Sequence, residues 1–114
     1  MEVFRHHIYE FKKGLRNLIL HTAPAGDVPE IVRTLESQRI AFKLSYLRNG
    51  HVNVFFGHPD CIAVLDIFGD KSLSDYTKEE DFILGVMLGY ARLEECRRYV
   101  MLSEKENARL EAAD

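Results

Sequence analysis

The sequence has few cysteines, no long apolar run and no basic cluster. Its two cysteines, Cys61 and Cys96, lie far apart in 114 residues, so we interpret both as free thiols in a reducing compartment. No segment approaches the roughly 18 unbroken apolar residues of a membrane-spanning helix. The first eleven residues, MEVFRHHIYEF, place charge and two histidines where a secretory signal needs an apolar stretch. We therefore expect a cytoplasmic protein with no membrane segment.

The charge pattern argues against nucleic-acid binding. The formal net charge is −3, and acidic and basic residues are interleaved along the chain. The densest basic stretch, KKGLR at 12–16, is short and typical of a solvated turn. No continuous electrostatic surface for a phosphate backbone is therefore predicted.

What is present is the composition of a soluble globular domain, with 46% apolar and 29% charged residues. The chain is long enough for one compact core. We predict a single α+β domain over residues 1–105. The C-terminal residues 106–114 have almost nothing apolar to hold them, and this predicts a frayed or disordered tail.

The N-terminal half alternates between helix and strand signals. Residues 3–13 fit a helix through the spacing of Phe4, Ile8 and Phe11, but alternation also permits a strand, and the pattern leaves both open. LRNLILHT at 15–22 is typical of a buried strand. Asp27 is a favourable N-cap for a helix that should end near residue 38.

The clearest local signal is Asn49-Gly50 between two alternating segments, which predicts a β-hairpin with a type I′ turn. One face of this hairpin should pack on helices. Phe55 and Leu47 fall on the other face, so a second apolar surface must also be covered.

Two helices are predicted after the hairpin. HPDCIAVLDIFG, with Pro59 in the first turn, predicts a helix of about ten residues. Thr77 and Glu80 form a capping box for a last helix that should continue without interruption to about residue 102. The predicted fold class is α+β: a three-stranded sheet containing the Asn-Gly hairpin, with helices packed on it and a long C-terminal helix.

One candidate metal site involves the segment FFGHPDC. His58 and Cys61 have half of a zinc-ligand spacing, and His21 could complete a site if its strand ends beside this turn. Cys61 would also lie in a first helical turn, where backbone N–H groups and the helix dipole stabilise a thiolate. The simpler alternative is a strand end, a glycine turn and a capped helix start, with Cys61 as a small buried hydrophobe.

A second candidate site is an interface. Gly85 and Gly89 form G-x-x-x-G on the predicted last helix, which indicates close approach of another element, either the sheet of the same chain or a second copy. Phe82 and Tyr90 lie on the apolar surface around them. These four residues are the candidate interface of a homodimer.

Three segments resemble a small bacterial family of unknown function, with members of similar length and order of segments. They are HHIYEFKKGLRNLILHT at 6–22, NVFFGHPDC at 53–61 and FILGVMLGYARLEECRRY at 82–99. The resemblance implies three strands with several helices, a homodimer, and a link to a flavodoxin-type protein partner in electron transfer. It implies no catalytic residue and no cofactor.

The sequence contains no Gly-rich phosphate loop, nucleophile elbow or paired-carboxylate motif. The sequence therefore favours a cytoplasmic homodimeric binding or accessory domain over an enzyme. A metal- or redox-responsive protein using His58 and Cys61 is the alternative hypothesis.

Overall fold

A computed structural model describes residues 1–113 and contains five α-helices and three β-strands. The elements in chain order are α1 Glu2–Lys12, β1 Leu18–Pro24, α2 Val28–Ser37, β2 Ala41–Tyr46, β3 His51–Gly57, α3 Pro59–Phe68, α4 Lys78–Met87 and α5 Arg92–Ala113. Short 3₁₀ turns occupy Ala25–Asp27 and Leu73–Asp75. The predicted α+β class with a three-stranded sheet is confirmed.

The sheet is antiparallel, with strand order β1-β3-β2. The strand that comes last in the sequence therefore lies in the middle and pairs on both sides, for example with Leu18 opposite Gly57 and Phe42 opposite Phe56. Strand β3 is correspondingly the most buried strand, with all residues from Val52 to Gly57 buried.

One face of the sheet packs against α1 and α2. The cluster on this face combines Phe4 and Ile8 of α1 with Ile31 and Leu35 of α2 and the inward side chains of the strands, including Phe56. The segment 3–13 is therefore a helix, because only the helical spacing places its large apolar side chains together on the sheet. His6, which alternation would place beside them on a strand, is exposed.

The opposite face is covered by α3 and α4 of the same chain. Leu18 and Phe55 of the sheet pack there with Leu65 of α3 and with Leu84 and Leu88 of the α4 region. The second apolar surface predicted from Phe55 is thus filled within the subunit. Burial of the apolar side chains in these two clusters supplies the main favourable contribution to the folding free energy.

Several predicted boundaries need correction. Asp27 stands at the N-cap position of α2, but it has helical backbone angles and makes no side-chain cap, because the preceding 3₁₀ turn leads straight into the helix. The hairpin is present, but its turn is not type I′. That turn needs positive φ at both central residues, and Asn49 is not among the positive-φ residues of the described chain, whereas Gly50 has φ +80°.

The largest difference lies in the C-terminal helix. The predicted uninterrupted helix is two helices, α4 and α5, separated at residues 88–91. The segment 106–113, predicted to be frayed or disordered, forms the last two turns of α5, and Asp114 lies outside the described residues. Fraying of that end in solution stays a prediction.

Candidate functional site

The segment FFGHPDC is a strand end followed by a capped helix start. A β-carbon at Gly57 would overlap the backbone carbonyl of Asn17, and Gly57 has φ +151°. Only glycine therefore fits here, where the end of β3 pairs with the start of β1. His58 is the N-cap of α3, and its Nδ1 accepts a 3.0 Å hydrogen bond from the backbone N–H of Asp60. The strand end, the glycine turn and the capped helix start predicted for this segment are present, while Cys61 is half-buried.

The three predicted metal ligands are not brought together. His21 pairs with Val54 on β3, four residues before His58, which corresponds to roughly 13 Å along the strand. The ring of His21 lies 5.5 Å from that of Phe4, on the face covered by α1. Cys61 packs into the cluster on the opposite face. Within residues 1–113, no group of three or more His, Cys, Asp or Glu side chains is arranged to hold a metal ion.

The environment of Cys61 disfavours its thiolate. Burial raises the pKa of the Cys61 thiol, and the charge of Asp60 raises it further. The predicted stabilisation by the helix start is therefore outweighed, since desolvation acts against the charged form. His58 does not offset this, because its Nδ1 is engaged by Asp60.

The predicted interface residues lie where α4 turns into α5, but they play different roles. Gly89 has φ +84° and lies directly after the α4 C-cap. The N–H of Gly89 donates to Val86 O at 3.0 Å and the N–H of Tyr90 donates to Gly85 O at 3.1 Å. This Schellman pattern ends the helix. A β-carbon at Gly89 would meet nothing within 4 Å, so no other element of this chain packs closely there, and close approach of a second copy at Gly89 stays a prediction.

Gly85 does allow a close approach, and the approaching group belongs to the same chain. A β-carbon at Gly85 would overlap the carboxylate of Glu95 on α5. Phe82 is likewise engaged within the subunit, with its ring edge-to-face on Tyr99 at 5.7 Å. Tyr90 remains 53% exposed.

Polar contacts lock α5 antiparallel against α4. Arg98 donates to both carboxylate oxygens of Asp81, at 2.7 and 3.1 Å. Nearer the other end, Lys78 Nζ donates to Glu106 at 3.0 Å. Asp81 raises the pKa of Arg98, and the nearby charge of Glu95 adds to this. The α4–α5 hairpin is therefore bridged by ion pairs at two points, which favour this orientation but, being exposed, add little stability.

The side of α5 turned away from α4 carries exposed apolar residues. Leu93 is 63% exposed and Val100 is 53% exposed, with the exposed thiol of Cys96 between them. The spacing 93, 96, 100 is the three-and-four spacing of a helix–helix seam. We call Leu93, Cys96 and Val100 the outer strip of α5.

A small cavity of about 330 Å³ lies on the inner side of the junction, next to Glu95. Its walls come from β1, α4 and α5 and include Leu20, Leu84 and Leu88. The sequence pattern does not predict this cavity, because the pattern indicates one straight helix in place of α4 and α5. The available signal was Gly89 after an apolar turn, which is typical of a helix C-terminus.

Together, the sheet with helices on both faces and the α4–α5 hairpin define a small α+β domain with an exposed helical surface. Its membership follows from comparison with protein families. Residues 2–102 match the model of DUF2023, described as a protein of unknown function, and the chain belongs to this family. The predicted resemblance to a small family of unknown function is confirmed. No curated protein matches the chain.

Proposed function

We propose that the protein is a cytoplasmic binding module that acts as a homodimer through the outer strip of α5. The observation that carries the proposal is the exposure of Leu93 and Val100 at the spacing of a helix–helix seam. Met101, which is 49% exposed, extends the apolar surface beside them.

The length of α5 supports the same surface. The helix has 22 residues, which corresponds to about 33 Å. Its contact with α4 reaches Glu106, which pairs with the first residue of α4. Residues 110–113 extend beyond it and include Leu110, which is 58% exposed. Because isolated helical ends are marginal in water, a second copy along α5 would stabilise this overhang.

A cytoplasmic location is supported by the thiols. Cys61 and Cys96 are both free, which suits a reducing compartment. No helix within residues 1–113 combines the length and the apolar character that a bilayer crossing requires. The flavodoxin-type partner implied by the family resemblance stays a prediction, to be tested once the dimer surface is known.

Sedimentation equilibrium of three proteins tests the dimer. The double variant Leu93→Asp/Val100→Asp should be monomeric at concentrations where the wild type is dimeric, with an unchanged circular dichroism spectrum. The matched control is Ile67→Asp on α3, because Ile67 is an apolar side chain with 81% exposure that lies on a different helix, and it should leave the dimer intact. A wild type that is monomeric at high micromolar concentration would overturn the proposal, and so would a dimer that the double substitution leaves unchanged.

A further inference from the structure

We infer that the cavity at the α4–α5 junction binds a small organic cation, an ammonium or guanidinium group carried on an apolar body. The cavity has a volume of about 330 Å³, at the lower end of the range of ligand pockets. One wall is apolar and is formed by Leu20, Leu73, Leu84 and Leu88. The other contains the carboxylate of Glu95.

Glu95 is the residue that points to a ligand. It is only 7% exposed, and within residues 1–113 its carboxylate has no hydrogen bond and no ion pair. No described side-chain oxygen is both fully enclosed and without a hydrogen-bond partner, so the Glu95 oxygens border the open volume of the cavity. A buried carboxylate ordinarily has a positive or hydrogen-donating partner, and here the space for one is present.

The sign of the ligand follows from the neighbouring charges. Arg98 and Asp81 also line the cavity, but Arg98 donates to both oxygens of Asp81 and the two charges compensate each other. Glu95 acts on Arg98 only through its charge, and the two acidic groups with one arginine leave the lining with one unbalanced negative charge. An anion would meet this carboxylate at short range, whereas an ammonium or guanidinium would gain a charge-assisted hydrogen bond.

The glycine opposite Glu95 fits this arrangement. Any side chain at Gly85 would occupy the position of the carboxylate, and therefore glycine keeps Glu95 close to the backbone of α4 and leaves the cavity open. Tyr90, at the rim, supplies an aromatic ring that suits the apolar body or the cation of such a ligand.

This inference does not depend on the proposed dimer. Glu95 faces α4, whereas Leu93 and Val100 lie on the exposed side of α5. The Leu93→Asp/Val100→Asp protein should therefore still bind the cation if it is monomeric and folded. The two proposals can consequently fail separately.

The test is an NMR titration of ¹⁵N-labelled protein with phenethylammonium chloride. Two analogues of similar shape serve as charge controls, the neutral 2-phenylethanol and the anionic 3-phenylpropionate. We expect saturable shifts at residues lining the cavity with the ammonium compound. Binding of the alcohol should be weaker by roughly tenfold or more, since it lacks the charge-assisted hydrogen bond to Glu95.

Variants then assign the effect to one carboxylate. Glu95→Gln keeps the shape and removes the charge, and should weaken phenethylammonium binding to the level of the alcohol. Glu94→Gln removes an exposed carboxylate from the adjacent position on α5 and should leave binding unchanged. The inference is overturned if the ammonium compound gives no saturable shift at the cavity, or if it binds no better than the alcohol. Equal binding by wild type and Glu95→Gln overturns it too. The comparison of the three ligands on wild type decides the matter even if the glutamine variant does not fold.

Discussion

The carboxylate of Glu95 lies directly against the α-carbon of Gly85, in the space that a β-carbon at position 85 would fill. Each residue therefore restricts what can stand at the other position. Glycine in a helix normally costs about 1 kcal/mol relative to alanine, and the position of Glu95 gives this glycine a packing reason.

A double-mutant cycle tests this relationship. In a Glu95→Ala background, Gly85→Ala should raise the free energy of unfolding, because the methyl group has room and alanine favours the helix. In the wild type the same change must displace the carboxylate, so we expect it to be less favourable by about 1 kcal/mol or more. Urea unfolding of the four proteins gives the coupling energy. The pair Gly26→Ala and Glu95→Ala is the control and should be additive, since a β-carbon at Gly26 meets nothing within 4 Å. Additive effects at 85 and 95 would contradict the contact.

The two Schellman-type helix ends give opposite predictions. Gly89 ends α4 with φ +84°, whereas Arg39 occupies the same kind of position after α2 with φ +56°. Gly89→Ala should lower the free energy of unfolding by about 1 kcal/mol, because a β-carbon is disfavoured in the left-handed region. Arg39→Gly should raise it by up to about 1 kcal/mol for the same reason. Gly26→Ala is the control at ordinary φ. A neutral Gly89→Ala would mean that α4 continues past residue 89, as the sequence pattern predicts.

The two thiols should differ in reactivity. Burial and the charge of Asp60 raise the pKa of Cys61, whereas Cys96 is exposed on the outer strip. At protein concentrations low enough for the monomer to dominate, where the outer strip is uncovered, we expect Cys96 to react first with a disulfide reagent at neutral pH. Cys61 should react more slowly, because the thiolate is the nucleophile. The Cys96→Ser protein should show only the slow reaction and the Cys61→Ser protein only the fast one, with equal rates in urea. A fast Cys61 would instead support the redox-responsive hypothesis.

The partly buried His21, next to His7 of α1, predicts that the stability of the protein depends on pH. Burial lowers the pKa of His21, and the nearby His7 and N-terminus lower it further against an opposing contribution from Asp27. The unfolded chain therefore binds the proton more readily than the folded one. Stability should fall as the pH drops below the ordinary histidine pKa of about 6.5 and continues through the lowered value. Urea unfolding at several pH values should show a smaller loss for His21→Gln than for the wild type. His51→Gln, on the exposed hairpin, should behave as the wild type, and an unchanged slope in His21→Gln would count against the assignment.

Local signals in the sequence predicted most elements well. Thr77 and Glu80 form the predicted capping box, with bonds of 3.1 and 2.8 Å, because a cap depends on residues three positions apart. The hairpin and the ten-residue α3 follow from equally local patterns. The turn type at Asn49 was wrong because a longer turn with Gly50 in the left-handed region satisfies the same strands.

The candidate site depended on non-local geometry and was harder to predict. The break at Gly89 reverses the chain and places Glu95 over Gly85, a contact that no spacing along one helix can produce. His21 and Cys61 are on opposite faces of the sheet for a similar reason: His21 contacts α1, whereas α3 carries Cys61 on the other face, and which helix covers which face is a property of the whole fold. The apolar residues of the outer strip can be seen in the sequence. That they are exposed follows only from the fold, because α4 covers the opposite side of α5.

The central position of β3 has a consequence for the order in which the chain can fold. Strands β2 and β3 are joined by a short turn and can pair as soon as both exist. The β1 residues 18–24 pair instead with residues 51–57, and each partner comes 27 to 39 residues later in the chain. Because loop closure must precede non-local contacts, we expect the hairpin to form first and β1 to join it afterwards. During synthesis, the apolar residues Leu18 and Ile19 therefore emerge from the ribosome well before their partners. A nascent chain that ends before His51 therefore contains β1 without any of its partner strand.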